Sequence, residues 1–126
     1  MTADGAVLVD ESTGAVSAVG PAAELEATVD PQVPRLRCTG ATVLPGMTDC
    51  HVHLAFDCGP IGTTAQATPA ELSAGMAERA WQLLTAGVTT LRDLGGRDAL
   101  AASLRSAITS GALPGPRILT ATAPPP

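Results

Sequence analysis

Two stretches in the second half of the chain carry apolar residues at helical spacing. The positions are Leu72, Met76, Ala80, Leu83 and Leu84 in residues 69–85, and Leu100, Leu104 and Ile108 in residues 98–110. Because such positions fall on one face of a helix, both stretches predict amphipathic helices whose apolar side needs a sheet to cover it. Gly87 and Gly111 follow the last apolar positions, where a glycine commonly ends a helix.

The sequence TPAE, residues 68–71, marks the start of the first of these helices. Thr68 is a favourable N-cap, Pro69 suits the first helical position, and Glu71 lies three residues after the cap. In this arrangement the threonine hydroxyl and the glutamate carboxylate each accept a hydrogen bond from a backbone N–H that the helix leaves unpaired. The sequence therefore predicts a helix that begins at Pro69.

Short β-prone segments alternate with the two helices. They lie at residues 47–54, 88–94 and 117–123, and this alternation is typical of parallel β-α units. The first half of the chain instead has the β-prone segments AVLVD, AVSAVG, RLRCTG and ATVLPG, separated by glycine, proline and acidic residues. We therefore expect an α/β chain, with a small β unit in residues 1–45 and β-α units in residues 46–126.

Composition narrows the possible partners and the compartment. The 126 residues include 12 acidic and 7 basic ones, for a net charge of −5, and all seven bases are arginine. This balance argues against nucleic acid as a partner, since proteins that bind it usually carry a basic patch. No apolar run is long enough to span a membrane, and the N-terminus lacks the pattern of a signal peptide. The cysteines Cys38, Cys50 and Cys58 form no C-x-x-C pair, which favours a reducing, cytoplasmic location.

The only two histidines of the chain lie one residue apart in TDCHVHLAF, residues 48–56. On a regular strand Asp49, His51 and His53 would share one face, with Cys50, Val52 and Leu54 on the other. Two imidazoles at positions i and i+2 can bind one metal ion. Histidines at this spacing also occur on surfaces or in hydrogen bonds without a metal, and the pair alone leaves both interpretations open.

Two motifs resemble those of a known family. VLPGMTDCHVHL, residues 43–54, resembles the signature of the amidohydrolase superfamily, and AGVTTLRDLGG, residues 86–96, resembles the second-strand motif of its branch with imidazolonepropionases and Xaa-Pro dipeptidases. The resemblance implies an N-terminal fragment of such an enzyme. Its fold would be about the first three strands of a TIM-type (β/α)8 barrel, residues 46–126, preceded by part of a small β-sandwich domain, residues 1–45.

The resemblance also implies a metal site at the carboxyl ends of the barrel strands. His51 and His53 match two histidines that bind a divalent metal, most often zinc, with one or two ions in the complete enzyme. Asp49 matches an aspartate that orients these imidazoles, although a buried structural acid is an equal alternative. Asp93, at the end of the second strand, lies near the mouth of the family's barrel and is a further candidate for an acid that supports the metal ligands, and its alternative is an acid that forms a turn before two glycines.

The implied activity is hydrolysis of an amide, cyclic amide or dipeptide C–N bond in a small-molecule substrate by metal-activated water. The family's further ligands, which are often a lysine and two histidines, and its catalytic aspartate lie on later strands. This chain has no lysine and no third histidine, so we expect no catalytic residue in it and no activity of the chain alone. Three alternatives follow: a fragment of a longer enzyme, a truncated non-catalytic product, or the partner-docking half of a split hydrolase that a complementing chain or a homo-oligomer completes.

Overall fold

The computed structural model describes residues 3–57, 59, 66–96 and 98–121. Its secondary structure is mixed α/β, with one two-stranded and one three-stranded sheet. The chain divides into two units, Met1–Val43 and Leu44–Pro126, which are considered separately. Of the helices in the described part of the chain, none combines the length and apolar character that a membrane crossing requires.

The first unit contains a β-hairpin and one short helix. Strand β1, Gly5–Asp10, pairs antiparallel with β2, Ala15–Pro21, and α1, Ala22–Glu26, follows directly. The connecting turn is closed by the Asp10 carboxylate, which accepts hydrogen bonds from the backbone N–H and the hydroxyl of Ser12. These hydrogen bonds lower the pKa of Asp10, because they stabilise its charged form.

Two of the four strands expected in the first half are absent. AVLVD and AVSAVG lie in β1 and β2, but RLRCTG and ATVLPG, residues 35–46, form neither strand nor helix. These residues are exposed throughout. A β-prone segment becomes a strand only when a neighbour pairs with its backbone groups, and residues 35–46 have no such neighbour among the described residues.

The second unit has the predicted alternation of strands and helices. In chain order it comprises β3 Met47–Val52, α2 Pro69–Thr85, β4 Val88–Asp93, α3 Asp98–Thr109 and β5 Arg117–Thr120. The three strands are parallel in the order β3-β4-β5. The predicted third strand extended to residue 123, whereas β5 ends at Thr120, and residues 122–123 lie outside the described part.

The core of the second unit lies between the sheet and the two helices. Leu91 of β4 and Ile118 of β5 point toward the helices and are almost completely buried. Leu72, Met76 and Ala80 of α2 are buried, as predicted from their spacing. The other buried apolar residues of the described part are Leu54, Ala55, Ala101, Leu104 and Pro116, and the partly buried side chains that pack against the core include Leu83, Leu100 and Ile108.

Gly46 brings the chain against β4 just before β3 begins. A Cβ atom at this position would overlap the side chain of Thr89. The Met47 N–H then donates to the carbonyl of Gly87, at 2.9 Å. The glycine of the VLPG segment therefore lets the backbone lie directly against the side chain of Thr89.

Helix α2 begins with the predicted capping box. The Thr68 hydroxyl accepts a hydrogen bond from the Glu71 N–H at 3.3 Å, and the Glu71 carboxylate accepts one from the Thr68 N–H at 2.8 Å. The hydrogen bonds from the Thr68 backbone and hydroxyl lower the pKa of Glu71 below 4.5. Because its pKa is lower in the folded state, this carboxylate stabilises the fold above pH 4.5, and the contribution is lost as the pH falls through the lowered pKa.

Replacing Thr68 with alanine is expected to lower the free energy of unfolding by about 1 kcal/mol, the usual cost of losing an N-cap. The pKa of Glu71, followed by carboxyl NMR, should then rise toward 4.5. Urea unfolding measures the first effect. Thr109→Ala, at an exposed position at the end of α3, is the control, with a change below about 0.5 kcal/mol. Equal losses in the two variants would contradict the capping role.

Candidate metal centre

The two histidines lie at the carboxyl end of β3, and their side chains are close together. His51 is within the strand and His53 follows its last residue. The imidazole centroids are 5.3 Å apart, with the ring planes at 68°. Both side chains are exposed. The structure therefore brings the two predicted ligands to the same side of the sheet edge.

Strand β3 has one extra residue between Asp49 and Val52. Asp49 pairs with Leu91 and Val52 pairs with Asp93, so three steps along β3 match two along β4. At this bulge the Asp49 carboxylate accepts a hydrogen bond from the backbone N–H of His51, at 3.0 Å. A side chain that bonds to a nearby backbone N–H competes with the ladder of the sheet, which accounts for the irregularity.

The bulge corrects the expectation of strict alternation along the strand. Asp49 is half-buried and lies opposite Leu91, whose side chain is in the core, so Asp49 does not continue the face of His51 and His53. Its described hydrogen bond is to the backbone of His51, and among the hydrogen bonds of the described residues none joins its carboxylate to an imidazole. Asp49 therefore shapes the strand that carries the histidines.

The imidazole of His53 is held by a backbone carbonyl. Its Nδ1 atom lies 2.9 Å from the carbonyl oxygen of Gly95. Because a carbonyl oxygen can only accept, this hydrogen bond requires the proton on Nδ1, and the neutral ring in that tautomer has its lone pair on Nε2. The ring of Phe56 packs against the imidazole, with the two ring centroids 5.5 Å apart. This orientation and tautomer suit coordination of a metal through Nε2.

Asp93 ends β4 and is the charged side chain most deeply buried in the described part of the chain, with 1% of its surface exposed. Its Oδ1 atom accepts a hydrogen bond from the N–H of Gly95, at 2.9 Å. Gly95 and Gly96 both have positive φ angles, 105° and 129°, which other residues adopt at a cost. Asp93 thus makes the hydrogen bond of a turn before the two glycines, as in the second of its two predicted roles.

Sequence reasoning missed two of the groups that fix this region. The Gly95 carbonyl is a backbone group, so no residue type announces its role. Arg79 donates from Nε to the carbonyl of Leu54, at 2.7 Å, and so holds the segment just after His53. Its position on α2, 25 residues away in sequence, carries no local signal.

The described residues include two candidate metal ligands, His51 and His53. Cys50 and Cys38 are free and exposed, and Cys58 lies outside the described residues. Within the described ranges no group of three or more histidine, cysteine, aspartate or glutamate side chains could hold a metal ion. Zinc in catalytic sites usually has three protein ligands, so His51 and His53 fit as two of them.

Residues 42–125, two thirds of the chain, match the amidohydrolase family. The chain belongs to this family. The expected resemblance is therefore confirmed, and His51 and His53 lie in the part of the chain that matches the family. Members of this family hydrolyse C–N bonds. No curated protein matches the chain.

Three solved structures are similar to this amidohydrolase chain. A structure of molinate hydrolase is 28% identical with a TM-score of 0.75, covering 91% of this chain and 25% of that one. An Xaa-Pro dipeptidase with methionine bound in its active site is 34% identical, with a TM-score of 0.53 and coverage of 61% and 19%. A prolidase in complex with N-methylphosphonate-L-proline is 33% identical, with a TM-score of 0.53 and coverage of 60% and 18%. The chain thus spans 18% to 25% of the length of these structures.

Proposed function

We propose that this chain is the N-terminal portion of a metal-dependent amidohydrolase that cleaves C–N bonds in small amides, cyclic amides or dipeptides. The observation that carries the proposal is the orientation of the His53 imidazole. Its Nδ1 is hydrogen-bonded to the Gly95 carbonyl, so the lone pair of Nε2 is free to bind a metal ion beside His51. The Xaa-Pro dipeptidase and prolidase similarities support a substrate of dipeptide type.

His51 and His53 would hold the metal, for which zinc is our choice because two imidazoles suit it. A bound divalent metal activates water and polarises the carbonyl of the scissile bond. The contribution of the chain is to fix the donors: Gly95 sets the tautomer of His53, and the bulge at Asp49 sets the backbone of His51. In the complete enzyme the site would hold one or two such ions.

The fold we propose for the complete enzyme is a TIM-type (β/α)8 barrel, of which β3, β4 and β5 would be the first three strands. The parallel order and the two connecting helices support this assignment. Residues 1–45 would belong to a small β-sandwich domain, supported by the antiparallel β1–β2 hairpin, and residues 46–126 to the barrel. The exposed free thiols of Cys38 and Cys50 support a cytoplasmic location.

Catalysis requires ligands beyond the two histidines, so we propose that the 126-residue chain alone is inactive. A non-catalytic product, or the partner-docking half of a split hydrolase, is a second candidate. The exposed apolar side chains of Met47 on β3 and Leu119 on β5 favour it, since both would suit contact with another polypeptide. A docking chain should bind its partner equally well after His51 and His53 are both replaced by alanine.

The test uses the protein encoded by the complete reading frame that contains these residues. It is expected to hydrolyse members of a panel of X-Pro dipeptides, N-acyl amino acids and cyclic amides, and to lose activity with a zinc chelator. His53→Ala should lower kcat/KM by at least roughly 100-fold, since even groups that only orient a ligand cost 10- to 100-fold. Cys38→Ser, in the first unit, is the control and should leave kcat/KM unchanged.

Hydrolysis that persists with the chelator and in His53→Ala would overturn the proposed function. The 126-residue chain alone, assayed on the same panel, should give no turnover. Turnover by the chain alone that His51→Ala abolishes would instead show that its residues suffice for the reaction.

A further inference from the structure

We propose that Asp93 is a positioning residue for His53, and that it acts through the peptide groups on either side of Gly95. Its buried carboxylate would hold the N–H of Gly95, and the carbonyl of the same residue would hold the imidazole in the Nδ1–H tautomer. The functional meaning of this inference rests on the proposed metal site, but the tautomer itself can be measured without a metal.

The two hydrogen bonds lie in series. Asp93 Oδ1 accepts from the Gly95 N–H at 2.9 Å, and the Gly95 carbonyl accepts from His53 Nδ1 at 2.9 Å. Both groups belong to Gly95, on opposite sides of its Cα atom, so the direction of the carbonyl depends on how the N–H is held. A path of two hydrogen bonds therefore connects a buried carboxylate on β4 with an exposed imidazole beyond β3.

The end of β4, where this path starts, is hydrogen-bonded to the segments on both sides. The backbone carbonyl of Asp93 accepts a hydrogen bond, at 2.9 Å, from the N–H of Ala121, which follows β5. The N–H of Leu94 donates, at 2.9 Å, to the carbonyl of Val52 on β3. The end of β4 is thus tied to the chain on both sides. The Oδ1 atom that accepts from the Gly95 N–H is therefore carried by a backbone that is itself held on both sides.

The Gly95 backbone needs such an anchor. Its φ angle of 105° is one of many that glycine can adopt, so the residue has no intrinsic preference for the observed direction of its carbonyl. The close packing at Gly96 adds a second restraint, because a Cβ there would lie 3.3 Å from both Ala55 Cβ and Phe56 Cζ. Phe56 in turn packs against the His53 ring. The turn and the imidazole therefore form one packed unit.

A purely structural role for Asp93 makes a different prediction. If the carboxylate only stabilises the turn, its loss should lower stability while His53 keeps its tautomer. If it positions His53, its loss should change the tautomer populations even in a folded variant. The two roles are therefore separated by a spectroscopic measurement on the imidazole.

The experiment is long-range ¹H–¹⁵N NMR of the ¹⁵N-labelled 126-residue chain, without metal, at about pH 8.5, where histidine is neutral. His53 of the unmodified chain should be predominantly Nδ1–H. Asp93→Leu, which removes the acceptor at similar size, should give a mixture of both tautomers, and Asp93→Asn, which keeps an acceptor oxygen, should restore Nδ1–H. His51 is the internal control and should be unchanged. Leu91→Ala, a destabilising change in the same strand, should leave the tautomer of His53 as it is.

Two results would overturn the proposal: an Nε2–H tautomer of His53 in the unmodified chain, or an unchanged Nδ1–H tautomer in folded Asp93→Leu. The first needs no variant, so the proposal is testable even if Asp93→Leu does not fold. Zinc titration separates this inference from the proposed function. The expected tautomer changes in a chain that binds no zinc would leave the positioning role intact and remove the metal site. A folded Asp93→Leu chain with zinc affinity at least about 10-fold weaker would support both.

Discussion

The variant with both His51→Ala and His53→Ala is expected to lose zinc binding, with the association constant of the 126-residue chain at least roughly 100-fold lower. The reason is that these imidazoles are the nitrogen donors that the fold places together, with ring centroids 5.3 Å apart. Removing the groups that orient a ligand already costs 10- to 100-fold, so removing the ligands costs more. Competition with a chromophoric zinc chelator measures the constant.

The control for this experiment is Cys50→Ser. Its thiol is free, exposed and adjacent to His51 in sequence, and cysteine sulfur is a common ligand of zinc. The serine variant should bind zinc as the unmodified chain does. Loss of binding in Cys50→Ser, or unchanged binding in the double histidine variant, would refute the assignment of the two histidines as ligands.

Leu91→Ala is expected to lower the free energy of unfolding of the second unit by about 3 kcal/mol. Leu91 lies on the middle strand of the three-stranded sheet and has no exposed surface, so the shorter side chain leaves a cavity between the sheet and the helices. The loss combines the transfer energy of the removed carbons with the cost of the cavity. Urea unfolding followed by the fluorescence of Trp81, the single tryptophan of the chain, reports on this unit.

Leu119→Ala provides the matched comparison. Leu119 is on the neighbouring strand β5, pairs with Arg92 and has 39% of its surface exposed. Its truncation removes the same atoms with less loss of buried contact, and we expect a change below about 1 kcal/mol. Similar losses in the two variants would mean that the helix-facing side of the sheet is not the core that stabilises this unit.

The second half of the fold was predictable because its signals are local. The capping box spans four residues, and the apolar positions of α2 repeat with each helical turn, so both could be recognised from residues close together in the sequence. The alternation of these helices with β-prone segments then predicted the parallel sheet. The prediction of strands in residues 35–46 was wrong for the converse reason, because a β-prone composition does not specify which segment will pair with it.

The candidate site was predictable to a smaller extent. The spacing of His51 and His53 placed both imidazoles together, and the motifs around them indicated the family. The position of Asp49 was not correctly expected, because one extra residue in β3 depends on pairing with β4 and reverses the alternation of faces. The hydrogen bond from His53 to the Gly95 carbonyl was not predicted, because every residue has a backbone carbonyl and none is marked by its residue type.

Residue types and their spacing thus predicted the helices, their capped start and the closeness of the two imidazoles, and two motifs carried the resemblance to the family. The helices and their capped start depend on interactions between residues close in the chain, and the family resemblance depends on short sequence motifs. Only the tertiary structure decided which groups hold the donors, because Gly95 and His53 lie 42 positions apart and meet when β3 and β4 pair. The link from Asp93 through Gly95 to His53 exists only once parallel pairing brings the ends of two strands to the same edge of the sheet.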